Sequence, residues 1–396
     1  MRTESTTLRC ASAVSNLNDL DAAVSEVADE LDERLDGARP DLLFLFTTHH
    51  HGGDLARISA DLVEATGAAD AAGCTGAWAA GSGQELEHRA GLSVLAATLP
   101  DTSVDVLRLA PPGEGGWETE QLPVVDPEED GLVLLADPFT FPVPTFLAEV
   151  AEAFPGLTVA GGLASGGIAP GQNILYAGGD PVNSGAVAVV LRGATRLVTA
   201  VSQGCRPIGP PLVATRVEGN AIFELKGQPA AKVLFEVLES LEERDRELFQ
   251  SGAFIGRAVD PSRSSFRPGD LLVRNIMGLD PSRHAIAVAD GGFRNGSTFQ
   301  FMVRDGASAE AEMASVLEVA GLETLGQAAG GLLFTCGGRG QAMFGRPHHD
   351  AGAIEAAFGP AFPLAGFAAN GEIGPVGGRP FLHGFTASTA ILAPRG

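Results

Sequence analysis

Near the middle of the chain stands the stretch Gln203-Gly204-Cys205-Arg206-Pro207-Ile208-Gly209-Pro210-Pro211, directly after the alternating run Arg196 to Ser202. Alternation of this kind is typical of a strand, and the strand should end where the quoted stretch begins. Proline fixes φ and removes an amide donor, while glycine allows close backbone approach. The stretch therefore predicts a rigid, shaped loop rather than a core strand.

Two stretches near the C-terminus have the same chemistry. They are Cys336-Gly337-Gly338-Arg339-Gly340 and Asn370-Gly371-Glu372-Ile373-Gly374. Each combines glycine with a reactive or charged side chain. We expect the chain to bring these loops together around a small-molecule site.

Composition limits the class of protein. With 396 residues the chain is too long for one ordinary core, so two domains are expected. Its 26 basic and 49 acidic residues give a formal net charge of −23. Such a field repels a phosphate backbone and anionic membrane surfaces, so neither nucleic acid nor membrane is expected as a partner.

Cysteine usage and the N-terminus indicate the compartment. The four cysteines, at positions 10, 74, 205 and 336, form no CxxC pair, which argues against a zinc ribbon or a disulfide framework. The N-terminus lacks an apolar signal core, and no apolar run reaches membrane-spanning length. We expect a cytoplasmic protein without membrane insertion.

One order of predicted elements occurs three times: strand, helix, strand ending in a glycine-containing turn, polar hairpin and outward strand. First strands are predicted at 41–46, 131–136 and 331–335, helices at 54–63, 143–154 and 350–358, second strands at 71–76, 157–162 and 362–367, and outward strands at 91–99, 185–191 and 385–392. Strands that alternate with helices favour parallel or mixed sheets. The sequence predicts an α/β fold (α+β mixed), with repeated strand–helix–strand–hairpin units forming two mixed-sheet domains.

The remaining elements are predicted by the same periodicities. Helices are expected at 19–35, 228–241 (closed by the charged run 242–247) and 309–320, strands at 271–277, 284–289 and 297–303, and a turn at 290–292. A domain boundary fits best near 215–220. We expect an N-terminal helical segment at 1–36, a first domain at 37–215 and a second at 216–396.

Five blocks together resemble the FIST family of sensory domains. They are QGCRPIGP (203–210), EGNAIFELKGQPA (218–230), LLVRNIMGLD (271–280), FTCGGRG (334–340) and AGFAANGEIGP (365–375). The resemblance implies that 37–215 is a FIST N-domain and 216–396 a FIST C-domain.

The resemblance also implies a function. The family is regarded as an intracellular signal-transduction input module that binds small ligands, usually suggested to be amino acids. Its members are often fused to kinases, chemotaxis-type transducers or F-box segments. Because no output domain remains here once the two FIST halves are assigned, we expect a separate protein partner to receive the signal.

Two arginine-containing loops are candidates for binding a ligand carboxylate. Cys205 and Arg206 could form a clamp, since an arginine fork donates two hydrogen bonds to a carboxylate. The alternative is a buried structural thiol and a surface arginine. Cys336 and Arg339 have the same two interpretations, and the glycines between them could form an anion-binding nest or an ordinary strand-to-helix turn.

The candidate site also includes a side-chain amide, a carboxyl group and three glycines. Asn370 and Glu372 could bind a ligand amine, or they could belong to an Asn-Gly hairpin followed by a solvated acid. Gly161, Gly162 and Gly204 would let the backbone approach the ligand.

Histidines and catalytic motifs give weaker signals. The clusters 49–51 with Asp54 and 348–349 with Asp350 could hold a metal, but adjacent strand residues point to opposite faces, so one histidine from each could instead line the pocket. Since GxSxG, HExxH and phosphate-loop motifs are absent, neither catalytic residues nor a metal nor a cofactor is predicted. An enzyme with Cys205 or Cys336 as nucleophile stays the alternative, followed by a scaffold without a ligand.

Overall fold

The computed structural model describes residues 7–111, 122–260, 263, 266, 269–289 and 292–395. These residues form two compact units. The first joins residues up to Val201 with those from Met313 onward, and the second is Ser202–Glu312. These units are defined by contacts in space, whereas the division at 37–215 and 216–396 is based on sequence motifs and stays a prediction. The predicted α/β class with mixed sheets is confirmed.

The first copy of the repeat follows a leading strand and helix. The elements are β1 (Arg9–Ser15), α1 (Leu20–Leu35), β2 (Leu42–Thr48), α2 (Leu55–Thr66), β3 (Asp70–Gly76), β4 (Ala79–Gly81), β5 (Gln84–Glu85) and β6 (Leu92–Thr98). The Asp19 carboxylate caps α1 by accepting a hydrogen bond of 2.9 Å from the amide of Ala22. Strands β2 and β3 are parallel, and β6 returns antiparallel to β2.

The second copy has the same order. It comprises the leading strand β7 (Thr102–Leu109), then β8 (Gly131–Ala136), α3 (Val143–Ala153), β9 (Thr158–Leu163), β10 (Leu175–Ala177) and β11 (Ala186–Gly193), followed by β12 (Thr195–Ser202). Again the first two strands of the copy, β8 and β9, are parallel, and β11 returns antiparallel to β8.

The described residues of the second unit form a seven-stranded sheet with two complete helices and the first part of a third, α6 (Gly306–Glu323). Its elements are β13 (Cys205–Glu218), β14 (Ala221–Leu225), β15 (Gln228–Pro229), α4 (Ala230–Ser240), α5 (Glu243–Ser251), β16 (Ala253–Ala258), β17 (Leu271–Asp280), β18 (Ala285–Val288) and β19 (Thr298–Arg304). The run 242–247, expected to close a helix, instead begins α5. Of the predicted turn at 290–292, positions 290 and 291 lie outside the described residues.

The prediction of a loop at 203–211 is wrong, because β13 begins at Cys205. Its first part is the outer strand of the sheet and pairs with β19, with the register shifting between Ile208 and Leu212. Proline is tolerated in outer strands and at bulges, where a ladder amide is not needed. The Gly209-Pro210-Pro211 segment falls within this register shift, so the strand continues past it.

The third copy follows α6 (Gly306–Glu323). It comprises β20 (Gly330–Cys336), α7 (Gln341–Phe344), α8 (His349–Phe358), β21 (Leu364–Ala369), β22 (Glu372–Val376), β23 (Arg379–His383) and β24 (Ala387–Pro394). Here β20 and β21 are parallel, and β24 returns antiparallel to β20.

The three copies exchange strands in a closed cycle. The sheet of the first copy, ordered β1-β6-β2-β3-β10, is completed by a strand of the second copy. The second sheet, β23-β22-β9-β8-β11-β7, is completed by the hairpin of the third copy, and the third, β12-β24-β20-β21-β4-β5, by the hairpin of the first. Each sheet therefore depends on a neighbouring copy.

A glycine occupies the same place in the second strand of every copy. A Cβ added at Gly73, Gly161 or Gly366 would overlap the carbonyl oxygen of Leu45, Leu134 or Leu333, the leucine in register on the first strand. Any side chain there would push the parallel strands apart. Gly161 is thus required by strand packing, in the same way as its two counterparts.

We expect Gly366→Ala to lower the free energy of unfolding by about 1–3 kcal/mol, because the added methyl group overlaps backbone that cannot move aside. Urea denaturation with matched slopes measures the change. Gly352→Ala is the control: it lies in α8 with no neighbouring atom within 4 Å of the added Cβ, and should gain about 0.5–1 kcal/mol from helix propensity. A Gly366→Ala protein as stable as the wild type would contradict the steric argument.

Candidate functional site

A cavity of about 470 Å³ opens in the first unit at the ends of the second strands. Its lining comes from the ends of β3, β9, β20, β21 and β23, the residues after them, and the start of β22. The lining residues are Ala77, 165–168, 336–338, 369–372, Gly384 and Phe385. Loops at the carboxyl ends of parallel strands are the usual binding position in α/β folds. Its volume matches the roughly 300–1,000 Å³ of small-molecule sites.

Hydrogen bonds join the three strand ends around this cavity. The Ser165 hydroxyl accepts from the amide of Ala77 at 2.8 Å and donates to the carbonyl of Ala368. The Ser165 amide donates to the carbonyl of Thr75 at 3.1 Å, and the Ala368 amide to that of Trp78 at 2.9 Å. One serine therefore links all three copies of the repeat at the cavity wall.

Glu372 is the acid of the cavity. Its side chain is fully buried, which excludes the alternative of a solvated acid. Oε2 accepts a hydrogen bond of 3.0 Å from the amide of Thr386, whereas Oε1 has no hydrogen-bond partner among the described residues. Burial raises the pKa of Glu372 well above its usual range, and the Thr386 bond and the charge of Arg339 oppose this only in part.

Cys336 lies beside this acid. Its amide donates to the Thr386 carbonyl at 2.9 Å, so Thr386 holds both cavity residues through its backbone. Burial and the neighbouring charge of Glu372 raise the pKa of the Cys336 thiol to about 11. At neutral pH the group is a thiol, not the nucleophilic thiolate.

Arg339 lies next to the cavity in a fully buried ion pair with Asp350. Nε and Nη2 each donate to a different carboxylate oxygen at 2.9 Å, a bidentate arrangement. Burial alone would raise the pKa of Asp350, but the Arg339 charge and hydrogen bonds from His349, Arg339 and Thr335 outweigh it and hold that pKa below its usual range. The guanidinium charge is therefore directed at Asp350.

An exchanged strand supplies a second buried acid to this network. Glu85 in β5 accepts hydrogen bonds of 3.0 Å from the amides of Asp350 and Ala351, which satisfies the first turn of α8. Burial and the neighbouring Asp350 charge raise the pKa of Glu85 to about 8.

Of the predicted site residues, Cys336, Asn370 and Glu372 line the cavity. Arg339 does not line the cavity, but its charge lowers the pKa of the two lining residues Glu372 and Cys336, so it lies close to them. Gly162 faces the core instead, since an added Cβ would contact Phe367 and Ala369. Together with Gly161, it positions the strand that pairs with Glu372 and Ile373.

Gly204, Cys205 and Arg206 belong to the second unit. The Gly204 amide donates to Glu312 at 2.9 Å, and Cys205 is buried. Arg206 donates to Asp305 at 3.0 Å and pairs with both oxygens of Asp245. Hydrogen bonding to Asp245, with a smaller contribution from Asp305, raises the pKa of Arg206. Its fork is thus occupied by the protein's own carboxylates.

The histidines of the two clusters have different neighbours. His49 adjoins Gly166 of the cavity wall, where an added Cβ would overlap its ring. His348 accepts a hydrogen bond of 2.9 Å from the amide of Glu85, and buried His349 donates to Asp350 at 2.8 Å. No metal-binding group of histidine, cysteine and acidic residues is present among the described residues. In the same part of the chain, no helix is long and apolar enough to span a membrane.

Sequence reasoning missed the serine link and the buried acid network. The run Ala164-Ser165-Gly166-Gly167 follows a second strand as Asn370-Gly371 does, so the repeat itself could have indicated it. Thr386 and Glu85 carried no such signal, because their roles depend on a backbone amide and on strand exchange.

In comparison with known proteins, both halves of the chain match a known domain family. Residues 41–228 match the FIST N domain and residues 230–375 the FIST C domain. The uncharacterized protein Rv0628c of Mycobacterium tuberculosis H37Rv is 37% identical over 389 residues, covering 97% of this chain and 100% of its own. The uncharacterized protein Mb0898c of Mycobacterium bovis is 36% identical over 389 residues, covering 97% and 99%.

We expect the stability of the protein to fall as pH rises from 5 to 8, in part through Glu85. Between its unfolded pKa of roughly 4.3 and its folded pKa of about 8, the folded state keeps a proton that the unfolded state has lost. Glu85→Gln removes this difference and should flatten the fall, by at most about 1.4 kcal/mol per pH unit. Urea denaturation at each pH measures it.

The control is Glu64→Gln, since Glu64 is exposed on α2. It should keep the wild-type slope. An equal slope in Glu85→Gln and the wild type would show that Glu85 is ionised in the folded protein.

Proposed function

The chain belongs to the FIST family, and from that premise we propose that it is a cytoplasmic sensor that binds a small polar ligand and signals through a separate protein partner. FIST domains are associated with sensory signal transduction. The observation that carries the binding proposal is the buried, half-satisfied carboxyl of Glu372 in the wall of a ligand-sized cavity.

An amino acid is the ligand we propose. Its ammonium group would meet Glu372 Oε1, and the Asn370 amide would contact it from the same loop. Because Arg339 is engaged with Asp350, the ligand carboxylate would depend on the backbone amides of Gly166 and Gly337, in the manner of an anion-binding nest. The amides of Gly167 and Gly338 already donate to the Asn173 side chain at 3.0 Å and to the Cys336 sulfur at 3.4 Å. The site then holds both charges of a zwitterion without an arginine clamp.

A role in binding fits Cys336 better than a role as nucleophile. Its raised pKa leaves a very small thiolate fraction at neutral pH. We therefore assign it to the cavity wall beside Glu372, and Cys336→Ser should retain the ligand.

A thermal-shift screen against the twenty amino acids, small amines and small carboxylates tests the proposal. A ligand that binds only the folded state raises the free energy of unfolding by mass action, by about 2.7 kcal/mol at a hundredfold excess over Kd. The melting temperature rises with it. We expect a saturable shift for at least one amine-bearing compound. Glu372→Gln should weaken that ligand about 10- to 100-fold, as expected for loss of a charged hydrogen bond of about 1.5–3 kcal/mol.

Arg206→Ala is the matched control, because Arg206 lies in the second unit with two aspartates. It should leave the affinity unchanged. An unchanged melting temperature with every compound would overturn the binding proposal. If Arg206→Ala abolishes binding of a ligand that Glu372→Gln retains, the site lies in the second unit instead.

A further inference from the structure

The Glu372 carboxyl group combines features that a purely structural acid does not need. It is fully buried, it lines the cavity, and Oε1 has no hydrogen-bond partner among the described residues. An unpaired ionised carboxylate in such a place is costly, and the group avoids this cost by keeping its proton. A buried polar atom without a protein partner is otherwise satisfied by water or by a ligand.

The groups around this carboxyl leave it without a dedicated cation. Cys336 is a neutral thiol, and Arg339 is held by Asp350 through two hydrogen bonds. His383 is in register with Glu372 on β23, and its Nε2 donates to the carbonyl of Gly374 at 3.0 Å. Among the described residues, those that line the cavity include no lysine, arginine or histidine, and His49 adjoins the wall at Gly166.

We propose that this cavity takes a ligand with a primary ammonium group and that Glu372 releases its proton to solvent as the ligand binds. This inference rests on the proposed binding function and specifies how the site is regulated. The balance is simple: the protonated acid and the ammonium ligand become an ion pair between carboxylate and ammonium plus one free proton. No bond other than the O–H bond of Glu372 is broken.

The exchange is favourable because one cation replaces another. Before binding, the proton neutralises the carboxylate; after binding, the ammonium group does, so the buried site never carries an unpaired charge. An anionic ligand has no such exchange available and would meet an acid in a protein whose net charge is −23. The chemistry of the cavity wall therefore selects amines over carboxylates.

Proton release makes the affinity depend on pH. Below the raised pKa of Glu372, each ligand bound frees one proton, so the affinity rises about tenfold per pH unit. Above that pKa the site is already ionised and the affinity becomes constant. The protein would respond jointly to amine concentration and to pH.

Trp78 provides a local readout. A Cβ added at Gly337 would stand 3.7 Å from Cζ3 of Trp78, so the indole adjoins the cavity wall. The chain has two tryptophans, and Trp117→Phe leaves Trp78 as the fluorophore. In that background, ethanolamine and n-propylamine are titrated in phosphate buffer between pH 6 and 8, with ethylene glycol as the uncharged comparison. Both amines stay protonated in this range.

We expect saturable binding of the amines, an affinity that rises with pH by up to tenfold per pH unit, and release of protons on binding in weakly buffered solution. Glu372→Gln should bind more weakly and show no pH dependence. Glu85→Gln and His383→Gln should keep the slope, since neither residue lines the cavity. A slope lost in either of them instead would overturn the assignment to Glu372.

The two proposals fail in different ways. Saturable amine binding without pH dependence would overturn proton release and leave the sensor intact. If neither amine binds while the screen gives a ligand without an ammonium group, the ammonium class is overturned and the sensor again stands. If nothing binds in either experiment, both proposals fail. Circular dichroism of each variant confirms that it is folded.

Discussion

The second strand of each parallel pair must find a hydrogen-bonding neighbour outside its own copy, and this requirement organises the first unit. Unpaired strand edges leave main-chain amides and carbonyls without partners. In this protein β10, the β22–β23 hairpin and the β4–β5 hairpin meet the requirement in a cycle. Removing any one copy would expose an edge in another. The cavity depends on the same cycle, because the strand ends that line it are brought together by the exchange.

The strand exchange also brings carboxyl groups into the interior, where their surroundings shift their pKa values. Strand β5 delivers Glu85 to the start of α8, next to the Arg339–Asp350 pair. Asp350 accepts hydrogen bonds from Nε and Nη2 of Arg339, whereas Glu372 accepts from the Thr386 amide and its own amide. Two buried carboxyl groups near one arginine thus have pKa values shifted in opposite directions, that of Asp350 lowered and that of Glu372 raised. The Arg339 charge, followed by the hydrogen bonds that Asp350 accepts from side chains, outweighs burial at Asp350, whereas at Glu372 burial dominates.

Local pattern predicted much of the fold but little of the site. The three strand–helix–strand copies carry their own periodicity and glycine turns, so their positions followed from the sequence. Strand exchange did not, because β4, β5 and β10 have two or three residues each and pair with distant strands. At 203–211, proline predicted a loop, and the position of β13 at the sheet edge reversed that outcome. Arg206 resembled Arg339 in sequence, and only the folded chain shows the aspartates that occupy each of them.

The same reasoning explains why an acid, and not an arginine, is the recognition group of the proposed site. Both arginines expected to bind a carboxylate are already paired with the protein's own acids. Glu372 has an unused oxygen, and it exchanges its proton for a ligand ammonium without changing the charge of the site. The glycine loops then need no new counter-ion when the ligand enters. The loops contact the remainder of the ligand, including the carboxylate of an amino acid, so recognition by the loops depends on both the shape and the charge of that part.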